Sequence, residues 1–411
     1  MKKDLERILK NNKLDAIWVS GPMHNNPDMV YFTGIHNVGN ADLFIIPGKG
    51  EFLFHSDMER EEAAKSGFST ISVDQKYPIN QLVKDARGDL LQAYSELYKY
   101  ILTEIGLDGK KIGIFGRIEI GSAFALIQSL QAKMPNTEFE GFVKDSPLVQ
   151  IQITKDEQEV QAIRRMGKIT TQVVKQVAEF LSNCHVQDKV LMDSEGKVTI
   201  GRVKDMINLL LAERGADNPE TTIFSIGRDA GIPHNSGNPL GLLEIGKPII
   251  FDIFPCEKGG GYFYDFTRTW CLGYAPAEVI SLYEHVFSVH QEIIAELEMG
   301  ELFSKYQDRT CQLFTERGHE TIQSNPKAQE GYVHSIGHGL GLRVHESPSS
   351  GITANENDIL QPGVVFTIEP GLYYPSKNMG VRIEDTIYLK PDGKFEILAD
   401  YPYDLVIPTK H

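Results

Sequence analysis

Two short apolar runs, each ending on a carboxylate, constrain this chain more than any other feature of its sequence. Ile249-Ile250-Phe251, leading to Asp252, and Tyr262-Phe263-Tyr264, leading to Asp265, read as two strands joined through a turn at Gly259-Gly260-Gly261. A hairpin centred between Lys258 and Gly259 sets Asp252 directly opposite Asp265. Opposed residues have Cβ atoms roughly 4.5–5.5 Å apart, and like charges so placed repel. Two buried carboxylates at that separation need a cation or a shared proton.

The same figure returns near the C-terminus. Val364-Val365-Phe366-Thr367-Ile368-Glu369 and Val381-Arg382-Ile383-Glu384 are strand-like, with Pro370-Gly371 and Pro375-Ser376-Lys377-Asn378 between them. A hairpin centred between Ser376 and Lys377 sets Glu369 opposite Glu384. Between the two ribbons lies His334-Ser335-Ile336-Gly337-His338-Gly339-Leu340-Gly341, followed by His345. One acid on a strand is ordinarily a solvated or capping residue. Four acids inside apolar runs are harder to bury without partners. Two divalent ions would offset the four charges, at the ~3.5–4 Å spacing that shared carboxylates span. An oxygen-rich set with one imidazole suits Mn²⁺, Co²⁺ or Fe²⁺ better than a thiolate zinc site.

The histidines are more ambiguous. His334 and His338 are four apart, but Gly337, Gly339 and Gly341 argue against a helix there. Ser335 stands where an HExxH zinc protease needs Glu. His345 lies on the opposite face of any straight strand from His338, so the glycines have to bend the chain to bring both inward. His234, after Pro233, precedes the first ribbon. The remaining histidines, His285 and His319 among them, read as ordinary loop or core residues.

The rest of the chain sets bounds. With 411 residues there is room for two domains. A net charge of −15 argues against nucleic acid or an anionic membrane as partner. No apolar run approaches ~18 residues, and the charged start Met1–Arg7 has no signal-peptide core. Cys184, Cys256, Cys271 and Cys311 show no CxxC spacing, which suits a reducing cytoplasm. Strand-like Asp15–Val19, Leu43–Ile46, Phe52–Phe54 and Lys111–Phe115 alternate with helical patterns at Leu90–Ile105 and Phe124–Leu130, an α/β arrangement. Lys144-Asp145-Ser146-Pro147 reads as a linker. Beyond it, long helices are expected over Val160–Phe180, Val203–Arg214 and Val279–Leu297.

Pro233-His234, Asp252, Asp265-Phe266-Thr267-Arg268-Thr269, His334–Gly339, Val344-His345-Glu346, Thr367–Gly371 and Arg382-Ile383-Glu384-Asp385 resemble, in order, the motifs of the aminopeptidase P/prolidase metallopeptidases. Tyr31–Gly34 and Leu43–Asp57 resemble that family's N-terminal domain, and Lys155-Asp156-Glu157 the start of its catalytic domain. Phe254-Pro255 departs from the pattern, where the family often has glycine. The resemblance implies a creatinase-like α/β N-terminal domain over 1–150. Over 151–411 it implies an α+β pita-bread catalytic domain (creatinase/aminopeptidase-like) with pseudo-twofold symmetry.

By the same resemblance, Asp252, Asp265, His338, Glu369 and Glu384 hold two divalent metal ions, Asp265 and Glu384 bridging them. Mn²⁺ comes first, with Co²⁺, Fe²⁺ or Zn²⁺ as alternatives. Glu369 also accepts a proton, His234 and His345 donate hydrogen bonds to the scissile bond and oxyanion, and His334 and Arg382 line the proline side. The implied activity is hydrolysis of Xaa-Pro bonds in peptides, an aminopeptidase; the alternative is a prolidase confined to dipeptides. Methionine aminopeptidase is disfavoured by the N-terminal domain. A metal-free binding module or creatinase chemistry should lack these ligands. The expected partners are a small peptide or dipeptide and further copies of the chain, as homodimer or homotetramer.

Overall fold

The computed structural model describes residues 4–143 and 145–410. Met1, Lys2 and Lys3 of the charged start, Lys144 of the linker and His411 lie outside the described residues. The chain divides into two compact units, Met1–Gln152 with Gly259–Gly261, and Ile153–Lys258 with Tyr262–His411.

The first unit is built on a six-stranded mixed sheet. Its order is Thr70–Ser72, Gly50–His55, Ala41–Ile46, Ala16–Gly21, Lys111–Gly116, Glu138–Glu140. Ala16–Gly21 and Ala41–Ile46 are buried along their whole length, so the sheet is covered on both faces. Alternation assigns the two sides. Ile17, Val19, Leu43 and Ile45 join one apolar cluster with Leu5, Ile8 and Leu9. Ala16, Trp18, Phe44 and Ile46 join another with Leu97, Ile101 and Leu102 of the helix Leu90–Glu104. That helix starts where the Asp89 side chain accepts from Gln92 N–H, a cap that satisfies one free donor.

The second unit opens with the 27-residue helix Glu157–Asn183, started by a reciprocal capping box between Asp156 and Glu159. Its buried face carries Val160, Ile163, Met166, Val173, Val177 and Leu181 at helical spacing. Gly167 sits on that face because a Cβ there would lie 2.6 Å from the Tyr264 ring. The glycine thereby seats the residue just before Asp265. Helices Ile200–Glu213, Ala277–Ala295 and Ser304–Glu316 follow.

Two sheets hold the acid ribbons. One runs Ile223–Ile226, Pro248–Ile253, Phe266–Leu272, Val406–Ile407; the other runs Glu346–Ser349, His338–Gly339, Val365–Ile368, Asp385–Leu389, Phe395–Ile397. An antiparallel bridge between Thr267 and Glu384 joins them.

The second ribbon has the expected register. Ile368 faces Asp385 in one ladder and Gly371 faces Arg382 in the next, so Glu369 lies opposite Glu384 across the gap between them. Its turn is the short helical Pro375–Lys377, closed by Asn378 at φ +54.

The first ribbon differs from expectation. Asp252 pairs with Thr267, not Asp265, and the return strand begins at Phe266. Tyr262-Phe263-Tyr264 is not a strand: Phe263 N bonds Gly341 O, and Tyr264 N bonds Pro255 O. Their aromatic rings serve tertiary packing, as Tyr264 does on Gly167. The register is displaced by two residues, and an even displacement keeps Asp265 on the same face as Asp252.

Candidate metal centre

Five side chains converge where the two sheets meet. Asp252 comes from the end of Pro248–Ile253, and Asp265 from just before Phe266. His338 lies in a two-residue strand, Glu369 directly follows Val365–Ile368, and Glu384 sits between Met379–Arg382 and Asp385–Leu389. His338 Nε2 is 3.6 Å from Asp265 Oδ2 and 3.5 Å from Glu369 Oε1. One ligand atom each from Asp265, His338 and Glu384 fall within 4.8 Å of one another. Asp252 and Asp265 both have a buried Oδ1 without a hydrogen-bond partner.

The local bonding prepares each group as a donor. His338 Nδ1 lies 3.1 Å from the Gly339 carbonyl, and donating there leaves the lone pair on Nε2, facing the carboxylates. Burial, helped by the neighbouring His345, lowers the His338 pKa to about 3, so the ring is neutral. Burial acts oppositely on the acids. It pushes Glu369 up to about 8 and raises Asp265 and Glu384 well above the carboxylate range, reinforced by the repulsion of the neighbouring acids. Buried acids with unpaired oxygens around one imidazole lone pair are the donor set of a hard, oxygen-preferring divalent cation. These residues fit the metal the sequence implies.

Arg382 is the cation the protein itself supplies. It is almost fully buried and donates from Nη2 to Asp252 Oδ2, and from Nη1 to the Tyr373 hydroxyl (2.7 Å) and the Pro233 carbonyl (3.2 Å). Tyr373 Oη is in turn 2.8 Å from His334 Nε2, and His334 Nδ1 is 2.7 Å from the Ser335 carbonyl. The structure thus links His334 and Arg382, expected on the proline side, through Tyr373 to Asp252. Tyr373 escaped the sequence reading because a tyrosine in an apolar strand ordinarily belongs to the core. The signal was available in the ribbon's register: Gly371 faces Arg382, and Tyr373 is two residues on, on the same face.

The glycines bend the chain as required. The pairing of His338–Gly339 with Glu346–Ser349 slips between His338 and Gly339. Gly341 packs against the Glu346 carboxylate, which a Cβ would meet at 2.3 Å. Glu346 is held by Lys155 Nζ at 2.8 Å, both side chains being buried. The result brings the His338 and His345 rings to 4.4 Å between centroids. His345 is exposed at the rim, and so is His234, whose neighbour Pro233 accepts from Arg382. His234 is near enough to lower the proton affinity of both His334 and His345.

A pH signature follows. The folded, metal-free protein holds a proton on Glu369 up to about pH 8, against an ordinary value of 4.5. A carboxyl raised in this way contributes its stability in full below pH 4.5 and loses it as pH rises through about 8. Metal-stripped protein should therefore lose thermal stability across this window relative to Mn²⁺-loaded protein, because the cation replaces the proton. Parallel melting curves with and without Mn²⁺ over the whole window would contradict it.

The chain is similar to known proteins along nearly its whole length. Residues 161–391 match the model of metallopeptidase family M24, and residues 2–146 that of the creatinase/prolidase N-terminal domain. The chain is 24% identical over 401 residues to an Xaa-Pro dipeptidase of Pyrococcus furiosus, spanning 96% of this chain and 97% of the relative. An Xaa-Pro dipeptidase of Pyrococcus horikoshii is 26% identical, spanning 95% and 94%. Among solved structures, the prolidase of Pyrococcus horikoshii superposes with a TM-score of 0.74 at 23% identity, covering 98% of this chain and all of that one. The X-Pro aminopeptidase of Thermotoga maritima gives 0.73 at 20% identity, covering 98% and 99%. The second unit accordingly has the pita-bread fold, preceded by a creatinase-like domain. The chain belongs to metallopeptidase family M24.

Proposed function

We propose that this protein is an Xaa-Pro dipeptidase, a prolidase working with two divalent metal ions. The sequence reading placed the aminopeptidase first, but the relatives named above favour the dipeptidase. The observation that carries the metal part is the convergence of Asp265, Glu369 and Glu384 on His338 Nε2, with unpaired oxygens on Asp252 and Asp265. Asp252 and Asp265 would hold one ion, His338 and Glu369 the other, with Asp265 and Glu384 shared. Mn²⁺ is the first choice, and Co²⁺, Fe²⁺ or Zn²⁺ would suit the same donors. When bound, such a pair supplies an activated water at neutral pH and polarises the substrate carbonyl.

The chain's own residues do the rest. Glu369, beside His338 Nε2, takes up the proton released by water and passes it to the leaving proline nitrogen. His345 and His234, at the rim, donate hydrogen bonds to the developing oxyanion and to the scissile bond. His334, fixed by Ser335 and Tyr373, lines the proline side. Arg382 acts on Asp252 first, because its donors go to Asp252, Tyr373, Pro233 and Thr267. The fully buried guanidinium is a positioning group, which leaves capture of the substrate carboxylate to another cation.

The test is a panel of Ala-Pro, Gly-Pro and a longer Xaa-Pro-Xaa peptide with Mn²⁺-restored protein. Cleavage confined to the dipeptides is the expected outcome; cleavage of the longer peptide would return the assignment to an aminopeptidase. We place the protein in the cytoplasm as a homodimer or homotetramer. Its four cysteines are all buried, and no helix among the described residues is long and apolar enough to cross a membrane.

A further inference from the structure

His285 and His319 bring two imidazoles together outside the centre, within the same unit. His285 lies on the helix Ala277–Ala295. His319 follows the helix Ser304–Glu316 after Gly318, whose φ of +82° turns the chain so that His319 N bonds back to Phe314 O. The rings meet edge to face at 74°, and His285 Nδ1 lies 2.8 Å from His319 Nε2. Both residues are half-buried. The other nitrogen of His319, Nδ1, is 2.7 Å from the Tyr374 hydroxyl.

This spacing serves either an N–H···N hydrogen bond or a chelate. Imidazole nitrogens ~2.0–2.1 Å from a cation stand ~2.9 Å apart at adjacent square-planar or octahedral positions, and ~3.3 Å apart at tetrahedral ones. The observed 2.8 Å matches the first class. Tyr374 supplies the support such a ligand needs. With Nδ1–H donated to the tyrosine oxygen, His319 is held with its Nε2 lone pair toward His285. His285 then presents its own Nδ1 lone pair as its proton shifts to Nε2 by exchange with water. Burial, and next the pair's own repulsion, lowers the His319 pKa to about 4, so that ring is neutral at physiological pH.

The charged neighbours of His319 are Lys377, whose Nζ lies 5.0 Å from the Tyr374 ring centroid, and Arg317; both oppose positive charge there, so nitrogen ligation has to outweigh their field, while Glu320 and Glu330 bear on Tyr374. Among the described residues no third His, Cys, Asp or Glu completes a cluster here, so water would fill the remaining positions.

We propose that His285 and His319 form a two-imidazole site for one divalent transition metal of the Cu²⁺ or Ni²⁺ class, separate from the oxygen-rich centre. Ligand type divides the two sites. Carboxylates accept Mn²⁺ and a nitrogen pair at right-angle spacing suits Cu²⁺ or Ni²⁺; because Cu²⁺ also outcompetes Mn²⁺ at mixed oxygen and nitrogen donors, the difference between wild type and the histidine variants defines the new site.

The experiment titrates Mn²⁺-saturated enzyme with Cu²⁺, following stoichiometry by calorimetry and nitrogen coupling by electron paramagnetic resonance. Wild type should bind one more Cu²⁺ per chain than His285→Ala, His285→Asn or His319→Ala, with coupling to two imidazole nitrogens. Tyr374→Phe should weaken that site about tenfold, the usual effect of losing the group that orients a ligand. Mn²⁺-supported turnover should be the same in His285→Ala and wild type. Equal copper stoichiometry in wild type and all the histidine variants would overturn the proposal, as would wild-type copper without imidazole coupling.

Discussion

Asp265→Ala and Glu384→Ala each leave a protein that retains no tightly bound pair of divalent ions and hydrolyses no Xaa-Pro substrate. Both acids are buried beside the His338 imidazole, where the proposed pair of ions would share their oxygens. Removing one leaves its neighbours buried around a weaker cation site. The loss in turnover should exceed ~10³-fold, more than the loss of a single oxyanion donor costs. Glu384→Gln sharpens the result. The amide can keep the 2.8 Å bond from the Thr267 hydroxyl while discarding the charge, so it separates ligation from local folding. Metal analysis of dialysed protein, alongside kcat on Ala-Pro, checks all three variants. Two ions retained in any of them would invalidate the assignment of the shared ligands.

Arg268→Met should destabilise the catalytic unit by ~3–5 kcal/mol, the cost of stranding one member of a buried ion pair. Arg268 and Asp385 are buried next in sequence to the acid cluster, with Arg268 Nη2 2.9 Å from Asp385 Oδ1. The guanidinium also donates to the carbonyls of Thr267, Glu384 and Pro402, and stacks 4.2 Å from the Phe266 ring centroid and 4.3 Å from that of Tyr403. Burial alone would raise the Asp385 pKa. Arg268, with His290 and Tyr403, instead holds it below the usual carboxylate range. Because Arg268 grips the backbone of both ribbons beside Asp265 and Glu384, the variant should lose metal affinity along with stability. Urea unfolding gives the magnitude. Adding Asp385→Leu should recover part of the loss, because the stranded charge is then gone. A single variant as stable as wild type would show that the pair carries no structural weight.

Much of the centre was legible because its residues break a local rule. An acid in an apolar strand signals a partner, and four such acids in two ribbons mark where that partner must sit. The second ribbon's register followed from pairing Glu369 with Glu384, which centres the reversal on the turn residues Pro375–Asn378. The first ribbon misled by two residues because Tyr262–Tyr264 has strand composition but spends its aromatic rings on distant partners.

Contacts of long sequence separation were beyond reach. Nothing local pairs Lys155 with Glu346, or links Arg268 to Pro402 and Tyr403, yet these contacts set the bend at Gly341 and the backing of the acid ribbons. Arg382 shows the complementary limit. Its position beside Glu384 was legible, but its commitment to Asp252 and Tyr373 emerged only from the folded site. Whether the substrate must be a dipeptide depends on how the pocket closes, which residue order does not encode.

The most direct test of the central claim is turnover of Ala-Pro by metal-stripped protein as Mn²⁺ is restored stepwise, with bound metal counted at each step. Activity should be absent without metal and reach its plateau at two ions per chain. Full activity in the stripped protein would contradict the account, and so would two bound ions without cleavage of any Xaa-Pro substrate.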